Sequence, residues 1–459
     1  MSGQQLKPSR ILALEILNRF DKVASSEHIY VSAILNPLLD QTNEKQRTTD
    51  LVFGTIRNRF VIDTIIAKLT DCPPERIPKK IHNIIRIGVY ELIYCPTTAQ
   101  YAIVDEAAES ASKIAGQKQV GFVNAILREV TRHITDRQAP LSQIDSEKII
   151  PQTVTTGCKF DCQVLSDPRT APADYFSAAF SIPKWLITDW LNEYGLEEVR
   201  QICFASNRRP SVYIRPNPLK TTLEQVVELF RNSDIEFEIT ADKSMIKIKN
   251  PHDVAQLPGF SDGFFTIQDP AASQAVRLLN PQPEWTILDL CAAPGTKTMQ
   301  LAELTSDKAR IFATDISRER LKRVRENISR LGVKSVTVID HKNISGAAPF
   351  DAVLLDVPCS NTGVLSKRPE VRYRIKPDAI KTITKTQMEL LQSVASLLKP
   401  NGKICYSTCS IQRNENDLLV EDFLAKNPGF KRETELLTLP TADDFDCDGA
   451  YEAIIIRST

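Results

Sequence analysis

The sequence predicts a multidomain chain: an all-α bundle, a small α+β domain, then an α/β domain on a mostly parallel sheet. Three observations predict it. Residues 7–138 carry apolar side chains at helical spacing almost throughout. Residues 176–265 mix helical and alternating runs. Beyond residue 285, short continuous apolar runs end in an acid or a cysteine. Continuous runs of this kind fit strands buried on both faces of a parallel sheet.

At 459 residues the chain exceeds one typical domain. Its 57 basic and 57 acidic residues cancel, so a nucleic-acid surface must come from local clustering. No apolar run approaches the 18 residues of a membrane span, and residues 1–10 lack the apolar stretch of a signal peptide. Ten cysteines without a dense framework fit a reducing, cytoplasmic setting.

In the front segment, 1–140, Leu12, Ile16 and Phe20 repeat every fourth residue. Residues 81–94, 101–114 and 120–130 each give one amphipathic face. Asn43 and Gln100 stand at helix starts, and Pro73, Pro74, Pro78 and Pro96 punctuate the bundle. The segment has 18 Lys and Arg against 15 Asp and Glu.

Residues 141–175 change character. Pro, Ser, Thr and Asp alternate without period, as in a linker or irregular insert. Cys158 and Cys162 form a C-x3-C pair, but no nearby Cys or His pair completes four ligands, so no metal is expected.

The 176–265 segment reads as α+β. Pro183 stands at the first turn of a helix, 212–215 is a strand, 221–233 a helix, and 235–248 holds two strands. The basic run at 207–217 contains Tyr213. Its ring either meets RNA or packs inward.

The 266–459 segment carries the chemistry. Residues 286–297 read T-I-L-D-L-C-A-A-P-G-T-K: a strand, a Pro294–Gly295 turn, then a helix. That is the first unit of a doubly wound sheet, whose turn brings backbone amides close to a ligand. Twenty residues after Gly295, Asp315 ends a second strand, where an acid commonly accepts ribose hydroxyls. Ser317 caps a helix that Gly332 stops. Residues 336–340 form a third strand, ending in Asp340, and 351–356 a fourth, ending in Asp356. A fifth runs over 403–407, and 450–457 supplies an antiparallel edge strand. Acids in this order fit an S-adenosylmethionine site, with Asp315 at ribose, Asp340 near adenine and Asp356 near the transferred methyl. Cys359 and Cys409 follow strand ends 50 residues apart. Two cysteines and an acid at one sheet edge point to nucleophilic chemistry on an electron-poor ring.

The stretches R-I-G-V-Y-E-L-I-Y, D-E-A-A-E-S-A and G-F-V-N-A-I-L-R-E in residues 83–128 resemble the NusB-type helical RNA-binding domain. C-A-A-P-G-T-K, D-V-P-C-S-N-T-G and Y-S-T-C-S-I-Q-R-N-E-N resemble RNA cytosine-5 methyltransferases of the RsmB/NOP family, a likeness that covers nearly the whole chain. It implies a Rossmann-like class I methyltransferase domain with a seven-stranded sheet, S-adenosylmethionine as cofactor and small-subunit (16S) rRNA as substrate. It implies that Cys291, Ala292, Ala293, Pro294, Gly295, Thr296, Lys297, Asp315, Asp340 and Asp356 bind the cofactor. No membrane and no obligate protein partner is implied. Thr296 replaces a glycine usual in the family, so a slightly altered turn is expected. Tyr373 stands where tryptophan is common.

Carbon 5 of cytosine is a poor nucleophile until a thiolate adds to carbon 6. The residues alone leave open which cysteine attacks. The resemblance makes Cys409 the attacking thiol, Cys359 the cysteine of release and Asp356 the acid at ring nitrogen 3. A target base must leave its stack, so looped RNA is the natural substrate. Residues 367–385, with seven Lys or Arg, two acids and Tyr373, offer a backbone and stacking surface. The alternatives are a catalytically silent NusB-like RNA-binding or antitermination protein, and a DNA cytosine methyltransferase.

Overall fold

Apolar spacing makes the front of the chain helical, as expected, in the computed structural model, which describes residues 6–23, 30–70, 72–141, 146–249 and 253–458. Its helices are α1 (Ser9–Val23), α2 (Val31–Leu35), α3 (Lys45–Arg57), α4 (Arg59–Thr70), α5 (Lys79–Tyr94), α6 (Gln100–Ala115) and α7 (Gln117–His133). Helix α5 is central, with Ile81, Ile84, Ile85, Val89 and Leu92 buried. Helix α3 crosses it at Gly54, where a Cβ would lie 2.1 Å from the Tyr90 ring. Two buried charges in this core are paired. Glu91 meets Arg10, and the Arg86 fork closes on Asp63 at 2.7 and 2.8 Å.

The next segment corrects the reading of 141–175 as irregular. Strands β1 (Ile134–Pro140), β2 (Ile149–Pro151) and β3 (Thr156–Phe160) form an antiparallel sheet in the order β1-β3-β2. The helical reading to residue 138 also ends early, at His133. β2 is only three residues long, and β1 and β3 mix polar and small residues, so no alternation announces them. Arg137 of β1 supplies what the sequence conceals. Its guanidinium donates to the carbonyls of Leu92, Cys95 and Glu91 at 2.7, 2.7 and 2.8 Å, and to those of Pro96 and Thr98. It thereby binds carbonyls at the end of α5, among them that of Leu92, and in the turn after it.

Helices α8 (Pro172–Phe180), α9 (Lys184–Tyr194) and α10 (Leu196–Asn207) follow, and α8 packs on α4. Residues Met1–Arg209 and Leu365–Arg374 make one compact unit; Pro210–Val364 and Ile375–Thr459 make the other. The division falls inside the 176–265 segment.

In the second unit, β4 (Val212–Pro216), α11 (Leu223–Arg231), β5 (Phe237–Ile239), β6 (Ile246–Ile248) and β7 (Phe265–Ile267) build a four-stranded antiparallel sheet, order β5-β6-β4-β7, with one helix. Thr222 and Gln225 close a capping box at the start of α11. Tyr213 packs inward on β4 with 2% of its surface exposed, its hydroxyl 3.4 Å from Asp446. A buried ring leaves no face for a base, which settles the open reading of Tyr213 against RNA stacking. Arg215 is also buried, clamped by Glu303 at 2.9 Å through both carboxylate oxygens.

Then come α12 (Pro270–Leu279), β8 (Thr286–Asp289), α13 (Thr296–Leu304), β9 (Arg310–Ala313), α14 (Arg318–Leu331), β10 (Val336–Val338), α15 (Ile344–Ala347) and β11 (Phe350–Asp356). After α16 (Val371–Arg374) the chain continues through α17 (Pro377–Ala395), β12 (Leu398–Thr408), α18 (Asp417–Lys426), β13 (Phe430–Thr438) and β14 (Ala450–Arg457). The sheet has seven strands in the order β10-β9-β8-β11-β12-β14-β13. The pairs from β10 to β12 are parallel, and β14 is antiparallel to both neighbours. The expected edge position of β14 is therefore wrong. The edge is β13, which the sequence analysis missed because its burial is low along its length. Alternate residues of β11 enter opposite cores: Ala352 and Leu354 join Met299, Val324 and Ile454, while Val353 and Leu355 join Leu391, Val420 and Phe423. Burial on both faces explains the continuous apolar runs.

Residues 365–374 belong to the first unit. Arg372 is buried there and donates to Ser206 O at 2.8 Å and Asn207 Oδ1 at 2.7 Å. The Tyr373 hydroxyl donates to Ile56 O at 2.5 Å, and its ring stands edge-on to Phe60, 5.1 Å between centroids. The expected stacking role of Tyr373 is corrected accordingly, since its ring is spent on packing. Among the described residues no helix is long and apolar enough to cross a membrane.

Candidate active site

Parallel strands put their carboxyl ends along one edge, and register decides which side chains meet there. Asp289 pairs with Leu354, Asp356 with Ser407, and Ser407 with Glu452. Lys297, one residue into α13, reaches this row. Its Nζ donates to Asp356 Oδ1 at 2.5 Å and Ser407 Oγ at 2.8 Å. Burial would lower the Lys297 pKa, but Asp356 outweighs it and the net shift is upward.

The turn before α13 is built for close packing. Gly295 has φ +102° and is the N-cap of α13. A Cβ there would sit 3.3 Å from Val324 Cα on α14. Thr296 is the first helical residue, so the positive φ falls on Gly295 alone. The expected distortion at Thr296 does not occur. Ala292 and Ala293 are buried and Pro294 is exposed. Cys291 is half-buried, its thiol pushed up by burial and then by Asp289.

The predicted acids occupy distinct surroundings. Asp315 accepts from Ala293 N at 3.2 Å and Ser317 N at 2.9 Å, which ties the end of β9 to the Gly turn. Asp340 caps a short turn by accepting from Lys342 N at 3.3 Å and from Arg318 at 3.1 Å. Those contacts, Lys342 first, lower its pKa. Asp289 is fully buried and accepts from Thr298 Oγ1 at 2.6 Å; burial pushes it up to about 7. Its Oδ1 has no hydrogen-bond partner.

Beyond these strand ends the two cysteine loops come together. Cys359 Sγ and Cys409 Sγ are 3.1 Å apart. Asn361 lies between the loops with φ +63°, a conformation asparagine tolerates. Its Nδ2 donates to Cys359 O at 2.8 Å, and its Oδ1 is 3.4 Å from Cys409 Sγ. The hydrogen bond with Cys409 and burial both raise the Cys359 thiol well above its ordinary range.

The sequence analysis missed the group that fixes these loops. Glu415 is fully buried and accepts from Ser360 N at 2.8 Å, Ser410 Oγ at 2.7 Å, Gln387 Nε2 at 3.0 Å and the Ser360 hydroxyl. Ser360 and Ser410 each follow one of the two cysteines. One carboxylate thus binds both loops, and burial raises its pKa against these donors. Glu415 lies inside the quoted Q-R-N-E-N run, which was its only signal. Asn361 and Ser407 likewise lie inside quoted runs, and Glu452 carried no signal.

Comparisons with known proteins bear on the family of the chain. The family described as 16S rRNA methyltransferase RsmB/F matches residues 276–448. The NusB family matches 7–132, and a ferredoxin-like domain of RsmF/B-like methyltransferases matches 182–255. The chain is 30% identical over 442 residues to the probable ribosomal RNA small subunit methyltransferase B of Synechocystis sp., covering 94% of this chain and 92% of that protein. It is 30% identical to the ribosomal RNA small subunit methyltransferase B of Cronobacter sakazakii, covering 93% and 94%. The crystal structure of NSun6 from Pyrococcus horikoshii shares the fold, with TM-score 0.55 and 21% identity over 60% of this chain and 98% of that one. The chain belongs to the RsmB/F family of 16S rRNA methyltransferases and carries a NusB-like domain at its front.

Proposed function

We propose that the protein transfers a methyl group from S-adenosylmethionine to carbon 5 of a cytosine in small-subunit rRNA, through a covalent adduct between Cys409 and carbon 6. The observation that carries this reading is the 3.1 Å approach of Cys359 and Cys409, with Asp356 three residues before Cys359.

The donor set suits the cofactor on a Rossmann-like class I sheet. Asp315 and Asp340 are acceptors for hydroxyl and amino groups at adjacent strand ends. Asp289 offers a buried oxygen without a partner, and Gly295 lets the backbone turn tightly. When bound, the cofactor supplies an electrophilic methyl group on a sulfonium.

The chain supplies the rest. Cys409 gives its sulfur electron pair to carbon 6, breaking the 5,6 double bond and making carbon 5 nucleophilic. Asp356, held by Lys297, stands at ring nitrogen 3 and supports the charge that builds there. After methyl transfer the proton on carbon 5 must leave to a base, and the returning double bond expels Cys409 as thiolate. Cys359, its sulfur 3.1 Å from that of Cys409, is placed to donate a hydrogen bond to the departing thiolate. It is the group of release.

RNA fragments bearing 5-fluorocytosine test this reading, because fluorine at carbon 5 cannot leave as a proton would. With S-adenosylmethionine, the wild-type protein should form a denaturation-stable adduct that Cys409→Ala abolishes. An adduct that persists in Cys409→Ala, or that forms equally on matched DNA, overturns it. Failure to form any adduct while S-adenosylmethionine binds would favour a catalytically silent RNA-binding protein.

A further inference from the structure

We propose that His133, Asp161 and Cys162 form a binding site for a divalent metal of the zinc class, outside the methyl-transfer cluster. Nitrogen, oxygen and sulfur ligand atoms from these residues all lie within 4.8 Å of one another. His133 Nδ1 is 2.8 Å from Asp161 Oδ1. Tetrahedral zinc, with bonds of about 2.0–2.3 Å, needs neighbouring ligands about 3.3–3.6 Å apart. The observed separations bracket that range, so closure needs side-chain shifts below about 1 Å. One carboxylate and one thiolate balance a divalent charge, and the mixed donor set is one that zinc and cobalt accept.

The backbone holds the three residues in place. His133 ends α7, and Ile134, the first residue of β1, pairs with Phe160, the last of β3. Asp161 N donates to His133 O at 3.0 Å. Helix end and strand end are thus locked before any ion arrives. Glu129, one turn back on α7, places Oε1 3.5 Å from His133 Nε2. A carboxylate on the far ring nitrogen is the outer partner that orients metal-bound imidazoles, and it aims Nδ1 at the cluster. A metal held here takes the cysteine as thiolate, so its entry releases a proton.

The C-x3-C spacing concealed this arrangement. Cys158 is buried within β3, and the partner of Cys162 is a histidine 29 residues earlier in the chain. Tertiary pairing of β1 with β3 makes them neighbours.

Cobalt(II) titration of the chelator-treated full chain tests the proposal, using a Cys359→Ser/Cys409→Ser background so that those thiols cannot contribute. One equivalent should produce thiolate-to-cobalt absorption with tetrahedral visible bands, and zinc should displace it. Cys162→Ser should abolish the charge-transfer band. His133→Gln and Asp161→Asn should each weaken binding, and Glu129→Gln should do so about 10–100-fold. Absence of the band in this background overturns the site. A band that survives Cys162→Ser, or one that His133→Gln and Asp161→Asn leave unchanged, overturns it equally, since another thiol or Cys162 alone would then be the ligand.

Discussion

Ser407 on β12 and Glu452 on β14 are direct cross-strand partners, which places the Glu452 carboxyl on the face where Lys297 meets Ser407 and Asp356. Glu452 is fully buried and neither oxygen has a hydrogen-bond partner. Burial pushes its pKa up to about 8, Lys297 lowers it and Asp356 raises it. At neutral pH it is a protonated acid beside an ion pair.

That raised pKa has a signed consequence. The folded state holds a proton between the ordinary value of 4.5 and about 8 that the unfolded state has released. Stability from this group therefore falls as pH rises through that window. Glu452→Gln should remove this group's share of the dependence, about 1.4 kcal/mol per pH unit at most, while buried Asp289, pushed up to about 7, keeps its own. Urea unfolding of both proteins at pH 5, 7 and 9 measures it. Parallel curves for the two proteins would show that Glu452 is not the titrating group.

Removal of Cys359 should separate formation of the adduct from its release. With ordinary cytosine RNA and S-adenosylmethionine, Cys359→Ala is expected to accumulate a covalent complex while turnover falls at least about 100-fold, the scale of losing a proton-handling group. Denaturing gels and tritium release from carbon 5 measure the two effects. Normal release from this variant would leave Cys359 with a packing role only.

Glu415→Ala should loosen both cysteine loops at once. It strands donors from Ser360, Ser410 and Gln387, at a cost of about 2–4 kcal/mol. Thermal unfolding should drop, and adduct formation should slow although neither cysteine has changed. Unaltered adduct kinetics would show that the loops hold their places without the carboxylate.

Gly363→Ala tests the close approach beneath Cys409. Gly363 N donates to Cys409 O at 3.0 Å, and a Cβ at Gly363 would lie 2.4 Å from Gly449 O. A main-chain atom cannot swing aside as a flexible side chain does. The substitution should cost about 1–3 kcal/mol and reduce trapping of 5-fluorocytosine RNA, both readable on one protein preparation.

Arg137→Ala should unlatch the small sheet from α5. Five carbonyls lose their donor, with a loss of roughly 2–4 kcal/mol, since hydrogen bonds from a charged group are worth about 1.5–3 kcal/mol each but overlap here. Hydrogen exchange should rise at the end of α5 and along β1. Protection equal to wild type at both places would discount the latch.

How much could be read beforehand follows from how local each cause is. Helices α5, α6 and α7 announce themselves because their apolar stripe repeats within the chain. Strands β8 and β11 do so because burial on both faces leaves little polar residue in them. Ser317 and Gly332 mark the ends of α14 by the chemistry of their own side chains and backbone. Strands β1, β3 and β13 stay hidden, since what makes them strands is a partner elsewhere. The misplaced edge has the same origin: β14 is apolar because both its faces enter cores, Ile454 one and Ala453 and Ile455 the other, and only pairing with β13 makes it internal.

The sequence by itself determined the class of the chain, the strand-end acids, the Gly295 turn and the two cysteines, since each is a residue type at a spacing that chemistry demands. Only the tertiary structure decided that Tyr213 and Tyr373 are packing rings. It alone gave Lys297 to Asp356, bound both cysteine loops to Glu415, set Glu452 opposite Ser407 and brought His133 to Cys162. Each of these is a pairing across strands or helices remote in sequence, and register, which no local pattern encodes, chooses which side chains share a face.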